Sequence, residues 1–136
     1  YGKIDSAGNN VNLLVKSPKI MDYNELLLHC PGNSTIVYNV KQLGKTYIPN
    51  IKKRNDYLMW LKVIKKAGKI YCLEQELSFH RLRVNSISSK KLTLIKYHWK
   101  IYRSYEHLSL MYSLFILSIF IINSFKTKLK LDLRRE

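Results

Sequence analysis

A chain of 136 residues with 46% apolar side chains can bury a core as one domain, or as part of one, and is too apolar for a disordered segment. Its 24 Lys and Arg against 9 Asp and Glu leave a formal charge of +15, which calls for an anionic partner such as phosphates, nucleic acid or acidic lipid head groups. Cys30 and Cys72 stand far apart with no C-x-x-C pair, which argues against a disulfide framework or zinc site and leaves reduced, cytoplasmic thiols as the default.

Residue 1 is Tyr and no signal-peptide pattern follows, so the chain reads as a piece of something longer. Tyr1 to Ile4 predicts a strand. Asp5 to Asn10 is a turn cluster and Val11 to Val15 a second strand, together a hairpin. Lys16 to Lys19 is a loop. Asp22-Tyr23-Asn24-Glu25 matches the capping box, followed by a short helix through Leu26, Leu27 and Leu28 that ends near His29 to Gly32. Ser34 to Val40 is rich in β-branched and aromatic residues and predicts a buried strand. Lys41 to Gly44 predicts a turn of helix, and Tyr47 to Asn50 an extended linker.

The stretch from Ile51 to Gly68 organises the rest. Tyr57, Trp60, Leu61 and Ile64 fall on one face of a helix. Asn55 or Asp56 is the expected N-cap and Gly68 the C-cap, with Lys65 and Lys66 suited to the carbonyl end. Asp56 is a lone carboxylate behind Lys52, Lys53 and Arg54. A helix cap is the plainest role for it.

Lys69 to Leu73 and Glu76 to Val84 predict two strands of a hairpin, the second carrying His80, Arg81 and Arg83. After the loop Asn85 to Lys91 comes a basic, aromatic helix from Leu92 to His107. Its Leu92, Ile95, Trp99, Tyr102 stripe reads as a core-facing side rather than a nucleic-acid surface. Leu108 to Phe125 carries no charge over 18 residues, against the about 20 that a spanning helix needs. With lysines at 126, 128 and 130, it reads as an in-plane, partly inserted or spanning helix whose basic flanks stay cytoplasmic. Residues 131–136 are a charged tail.

Four blocks, in this order and spacing, carry a resemblance: Pro31-Gly32-Asn33-Ser34-Thr35-Ile36-Val37-Tyr38; Leu43-Gly44-Lys45-Thr46-Tyr47-Ile48-Pro49; Lys52-Lys53-Arg54-Asn55-Asp56-Tyr57-Leu58-Met59-Trp60-Leu61; and His80-Arg81-Leu82-Arg83-Val84-Asn85-Ser86-Ile87-Ser88-Ser89. Over roughly Tyr1 to Phe125 the chain resembles the C-terminal half of a family 2 bacterial glycosyltransferase that builds surface glycans. The resemblance implies an α/β protein with a partial GT-A fold, the C-terminal part of a mixed sheet with flanking helices, followed by long C-terminal helices. It implies residues 1–91 as the acceptor-side half of a catalytic domain, 92–130 as a helical extension with a membrane-associated helix, and 131–136 as tail.

The implied reaction is inverting transfer from a nucleotide-sugar to a surface-glycan or lipid-linked acceptor, with no nucleic-acid partner. Asp56 matches the catalytic base of the family's Glu/Gln-Asp pair; Asn55 departs from the residue usual before it. Arg54, Asn55, Ser34, Thr35 and Arg81 would bind substrate, and His80 is a candidate metal ligand. A divalent metal, Mg or Mn, is expected, mainly on an Asp-x-Asp motif of the upstream half, because this chain contains no Asp-x-Asp. This half alone is then expected to be inactive, working in the whole enzyme at the inner face of the cell membrane. The competing class is a non-catalytic basic module that binds membrane or nucleic acid.

Overall fold

The computed structural model describes residues 1–29, 35–82 and 91–132. The chain is mixed α/β and divides into two compact units, Tyr1–Lys90 and Lys91–Glu136.

In the first unit β1 (Gly2–Ile4) is the middle strand of a three-stranded sheet. The predicted hairpin forms: β2 (Asn10–Leu14) runs antiparallel to β1. The register shifts between Gly2 and Ile4, where Asn12 takes φ 51° and its N–H turns to Asn10 Oδ1 at 2.8 Å. Asn is among the residues that tolerate this left-handed geometry. On the other side of β1, β5 (Phe79–Arg81) pairs in parallel, Lys3 opposite His80. A Cβ on Gly2 would collide with the Glu76 carboxylate and stand 2.8 Å from the Phe79 ring, so only glycine lets β5 come this close without rearrangement.

A two-stranded sheet pairs β3 (Ile20–Met21) with β4 (Ile70–Tyr71), antiparallel. The Cys72 N–H extends it by donating to the Lys19 carbonyl at 2.8 Å. This pairing overturns the hairpin expected between Lys69–Leu73 and Glu76–Val84: the two segments join different sheets. Each is short and largely exposed, so each takes a distant partner in place of the other.

The expected capping box is present. Asp22 Oδ1 accepts from the Glu25 N–H at 2.9 Å, Glu25 Oε2 accepts from the Asp22 N–H at 3.2 Å, and α1 (Tyr23–Leu28) follows. The strand expected over Ser34–Val40 does not form in its described part. Asn39 Oδ1 accepts from the N–H groups of Lys41 and Gln42 and starts α2 (Val40–Leu43), while Val37 is 95% exposed. A side-chain cap offers the backbone a local alternative that weak β-propensity does not outweigh.

The core of this unit lies against α3 (Asn55–Ala67). Its Tyr57, Leu58, Trp60, Leu61 and Ile64 are buried together with Met21, Leu26, Leu27 and Ile51. Each fully buried aliphatic side chain here contributes about 1.5–3 kcal/mol before entropy. Trp60 is buried and meets Tyr38 edge-on at 5.9 Å. Gly68, at φ 77°, closes the helix with its N–H on the Ile64 carbonyl.

In the second unit α4 (Lys91–Lys100) runs into a π-helical turn, Ile101–Tyr105, and α5 (Leu110–Asp132) follows. The buried stripe is Leu94, His98, Ile101 and Tyr102; of the expected Leu92, Ile95, Trp99, Tyr102 stripe, Tyr102 is buried as expected. Ile95 and Trp99 are half-exposed, and the Leu92 side chain lies outside the described residues. His98 enters the core because its ring lies 4.0 Å from the Phe120 ring and its Nδ1 shares a 3.1 Å hydrogen bond with the Tyr102 hydroxyl. Ser109 supports the first turn of α5: its Oγ accepts from the Tyr112 N–H at 3.3 Å and its carbonyl accepts the Ser113 hydroxyl at 2.8 Å. Among the described residues no helix is long and apolar enough to cross a membrane. Leu108 and Ser109 precede the helix, so its uncharged part, Leu110 to Phe125, spans about 24 Å against a hydrocarbon core of about 30 Å.

Candidate active site at the start of the long buried helix

Asp56 occupies the first turn of α3, and Arg54, Asn55 and Asp56 are all half-buried. The helix does not start on an Asn55 or Asp56 cap as expected. Arg54 is the cap residue, in left-handed geometry at φ 61°, ψ 22°, with no side-chain cap hydrogen bond. Asn55 and Asp56 serve one residue further on. Asn55 Oδ1 accepts from the Asp56 N–H at 2.9 Å, and Asp56 Oδ1 accepts from the Tyr57 N–H at 2.8 Å. Two amides that the helix leaves unsatisfied are thereby used locally. A non-glycine residue in left-handed geometry costs about 1–2 kcal/mol, so the surroundings must hold Arg54 there.

The arrangement fixes the carboxylate. Oδ1 is tied to the backbone, and Oδ2 makes no hydrogen bond among the described residues. Directly behind it the Tyr57 hydroxyl donates to the Leu27 carbonyl at 3.2 Å in the core. A carboxylate held on one oxygen and open on the other can accept a proton from a hydroxyl brought to it.

Of the other predicted site residues, Thr35 is exposed on the segment before α2, and Ser34 lies outside the described residues. His80 and Arg81 sit on exposed β5. The Arg81 Nη1 donates to the Ser6 carbonyl at 2.9 Å and so clasps the β1–β2 turn. That turn is built on Asp5, whose carboxylate accepts from the Asn9 side chain and from the Asn9 and Gly8 N–H groups. These bonds, the Asn9 side chain's first, hold its pKa below the ordinary carboxylate value. Among the described residues no hydrogen bond or ion pair joins Asp56 to His80 or Arg81. The structure thus groups Arg54, Asn55 and Asp56 by sequence adjacency, and His80 and Arg81 by their strand.

His80 has no companion metal ligands among the described residues. Its ring neighbour is Tyr1, at 6.3 Å, and among the described residues no group of three or more His, Cys, Asp or Glu could hold a metal ion. What sequence reasoning missed is Lys3, which faces the same side of the sheet as His80 yet is 7% exposed. Only the parallel β1–β5 register brings these two residues together.

One comparison with known proteins gives a match. The chain is 31% identical over 112 residues to "Putative teichuronic acid biosynthesis glycosyltransferase TuaG" of Bacillus subtilis (strain 168), covering 82% of this chain and 44% of that protein. The similarity supports a glycosyltransferase relationship. The chain spans less than half the length of this relative. No family model matches the chain. No solved structure matches it.

Burial pushes the Lys3 ammonium below the ordinary lysine pKa. The unfolded chain then holds that proton more tightly than the folded one, so stability rises as pH climbs through the folded pKa toward the unfolded one. Lys3→Met is expected to stabilise the fold at pH 7 and to flatten this rise. Urea denaturation at pH 7 and pH 10 checks it; an equal alkaline gain in variant and wild type would exclude Lys3 as the source.

Proposed function

We propose that this chain is the acceptor-side part of an inverting, family 2 glycosyltransferase of GT-A fold, with Asp56 as the general base. The similarity to a glycosyltransferase supports the class. The single observation that favours Asp56 is its carboxylate, tied through Oδ1 to the Tyr57 N–H and open at Oδ2.

The chemistry is one displacement. The acceptor hydroxyl gives its proton to Asp56 Oδ2 as its oxygen bonds to the anomeric carbon of the sugar. The bond from that carbon to the diphosphate breaks on the opposite face, and the nucleoside diphosphate leaves with the electron pair. Asn55, bonded to the Asp56 amide, helps set the turn that aims the base. Arg54 supplies positive charge two residues before the base, and Ser34, Thr35 and Arg81 are assigned to substrate contact. We assign the divalent Mg or Mn of such a reaction to residues outside this chain. The relative's name ties it to teichuronic acid biosynthesis. An acidic product suits a chain of formal charge +15, and the reading extends to a surface-glycan or lipid-linked acceptor.

The reading also places the enzyme at the cytoplasmic face of the membrane, with α5 lying in the interface. Met111, Phe115, Ile122 and Phe125 recur along one side of α5, all exposed, and Lys126 follows them. An apolar stripe ending in a cation suits an acidic lipid surface.

Asp56→Asn keeps a side-chain oxygen for the Tyr57 N–H, so stability is expected to change by only about 0.5 kcal/mol. Transfer by the full-length enzyme is expected to fall about 10²–10⁴-fold. Thermal unfolding and a donor-turnover assay measure the two; transfer within a few-fold of wild type would remove Asp56 as the base and favour a binding module. For α5, Phe115→Asp with Ile122→Asp is expected to abolish flotation with phosphatidylglycerol vesicles, and unchanged flotation would refute interfacial contact.

A further inference from the structure

We propose that the groove beside the last two turns of α3 is a binding site for a phosphate-type anion. It has a volume of about 500 Å³ and is lined by Lys45, Thr46, Tyr47, Lys62, Lys65 and Lys66. Four lysines thus line one concavity whose lining contains no carboxylate, the Lys65 ammonium lying 5.1 Å from the centre of the Tyr23 ring. The size suits a small ligand, since such pockets commonly hold about 300–1,000 Å³.

The local structure explains the grouping. Lys62, Lys65 and Lys66 stand at i, i+3 and i+4 on the exposed side of α3, opposite its buried stripe. The Lys45–Tyr47 segment is drawn against them by Lys66, whose Nζ donates to the Leu43 carbonyl and to Thr46 Oγ1, both at 3.4 Å. The Lys45 ammonium lies 4.9 Å from the centre of the Tyr47 ring. Lys62 makes no hydrogen bond or ion pair among the described residues.

The carbonyl end of the helix accounts for Lys65 and Lys66. It accounts for neither Lys45, which comes from another segment, nor Lys62, a turn earlier. Their shared property is the cavity they line. Like charges gathered there repel, and an anion between them relieves the repulsion. The lining holds no arginine, so nothing imposes the planar, two-pronged geometry suited to a carboxylate. Ammonium point charges with one threonine hydroxyl suit the many oxygens of a phosphate or diphosphate. The inference does not depend on Asp56, whose first-turn position lies at the other end of the helix.

The test uses the whole chain and inorganic pyrophosphate in a calorimetric titration. Lys45→Glu with Lys62→Glu reverses two exposed charges. Lys16→Glu with Lys96→Glu makes the same net change at exposed positions outside the groove. The groove variant is expected to weaken pyrophosphate binding by roughly tenfold or more, since two charge-assisted contacts are lost, and the control variant by far less. Matching circular dichroism of the two variants shows that the fold is kept. Equal binding by groove and control variants would overturn the proposal. A second arm identifies the source of the phosphate. If the groove variant also loses binding to phosphatidylglycerol vesicles, and pyrophosphate displaces wild type from them, the site takes lipid head groups; if vesicle binding is unchanged, it takes a soluble phosphate compound.

Discussion

The hydrogen bond from the Tyr57 hydroxyl to the Leu27 carbonyl ties the start of α3 to the end of α1, the pairing on which the helical core of the first unit is built. Leu27 lies near the end of α1, where helix carbonyls lose their own partners. Buried there, such a group costs about 1–3 kcal/mol unless something donates to it. A side chain 30 residues away does so, and this locks a six-residue helix that could not persist alone onto a thirteen-residue one. Asp56 is the neighbour of that anchor. Its backbone is held on one side by the buried tyrosine and on the other by the strained Arg54 turn.

α3 therefore links core and chemistry by simple geometry. One side supplies the apolar stripe that α1 covers. Its amino end carries a carboxylate held on one oxygen, and its carboxyl end a set of lysines gathered on a groove. A chain with this excess of positive charge does not neutralise it internally, and on the proposed reading negative charge is what its partners share. A phosphate-bearing donor or acceptor and an acidic lipid surface both meet that description.

The parts of this fold that local chemistry decides were legible in the sequence. The Asp22–Glu25 capping box, the turn on Asp5 to Asn10, the apolar face of α3 and the Gly68 stop each rest on residues within one or two turns of each other. The parts that distant pairing decides were not. Nothing near Ile70 or Phe79 says that the first pairs with Met21 and the second with Gly2. The buried stripe of α4 was misread because His98 looks polar, yet Phe120 and the Tyr102 hydroxyl give it a place in the core. At the candidate site, the grouping of Arg54, Asn55 and Asp56 follows from a helix start and was readable. The facing of Lys3 and His80 is set by the register of a parallel pair and was not.

The stereochemistry of transfer by the full-length enzyme tests the central claim most directly. A single carboxylate base implies one displacement at the anomeric carbon. Proton NMR of the first-formed glycoside is then expected to show the anomeric configuration opposite to that of the nucleotide-sugar donor. Retention of the donor configuration would require a second displacement or another route, and would contradict the role assigned to Asp56.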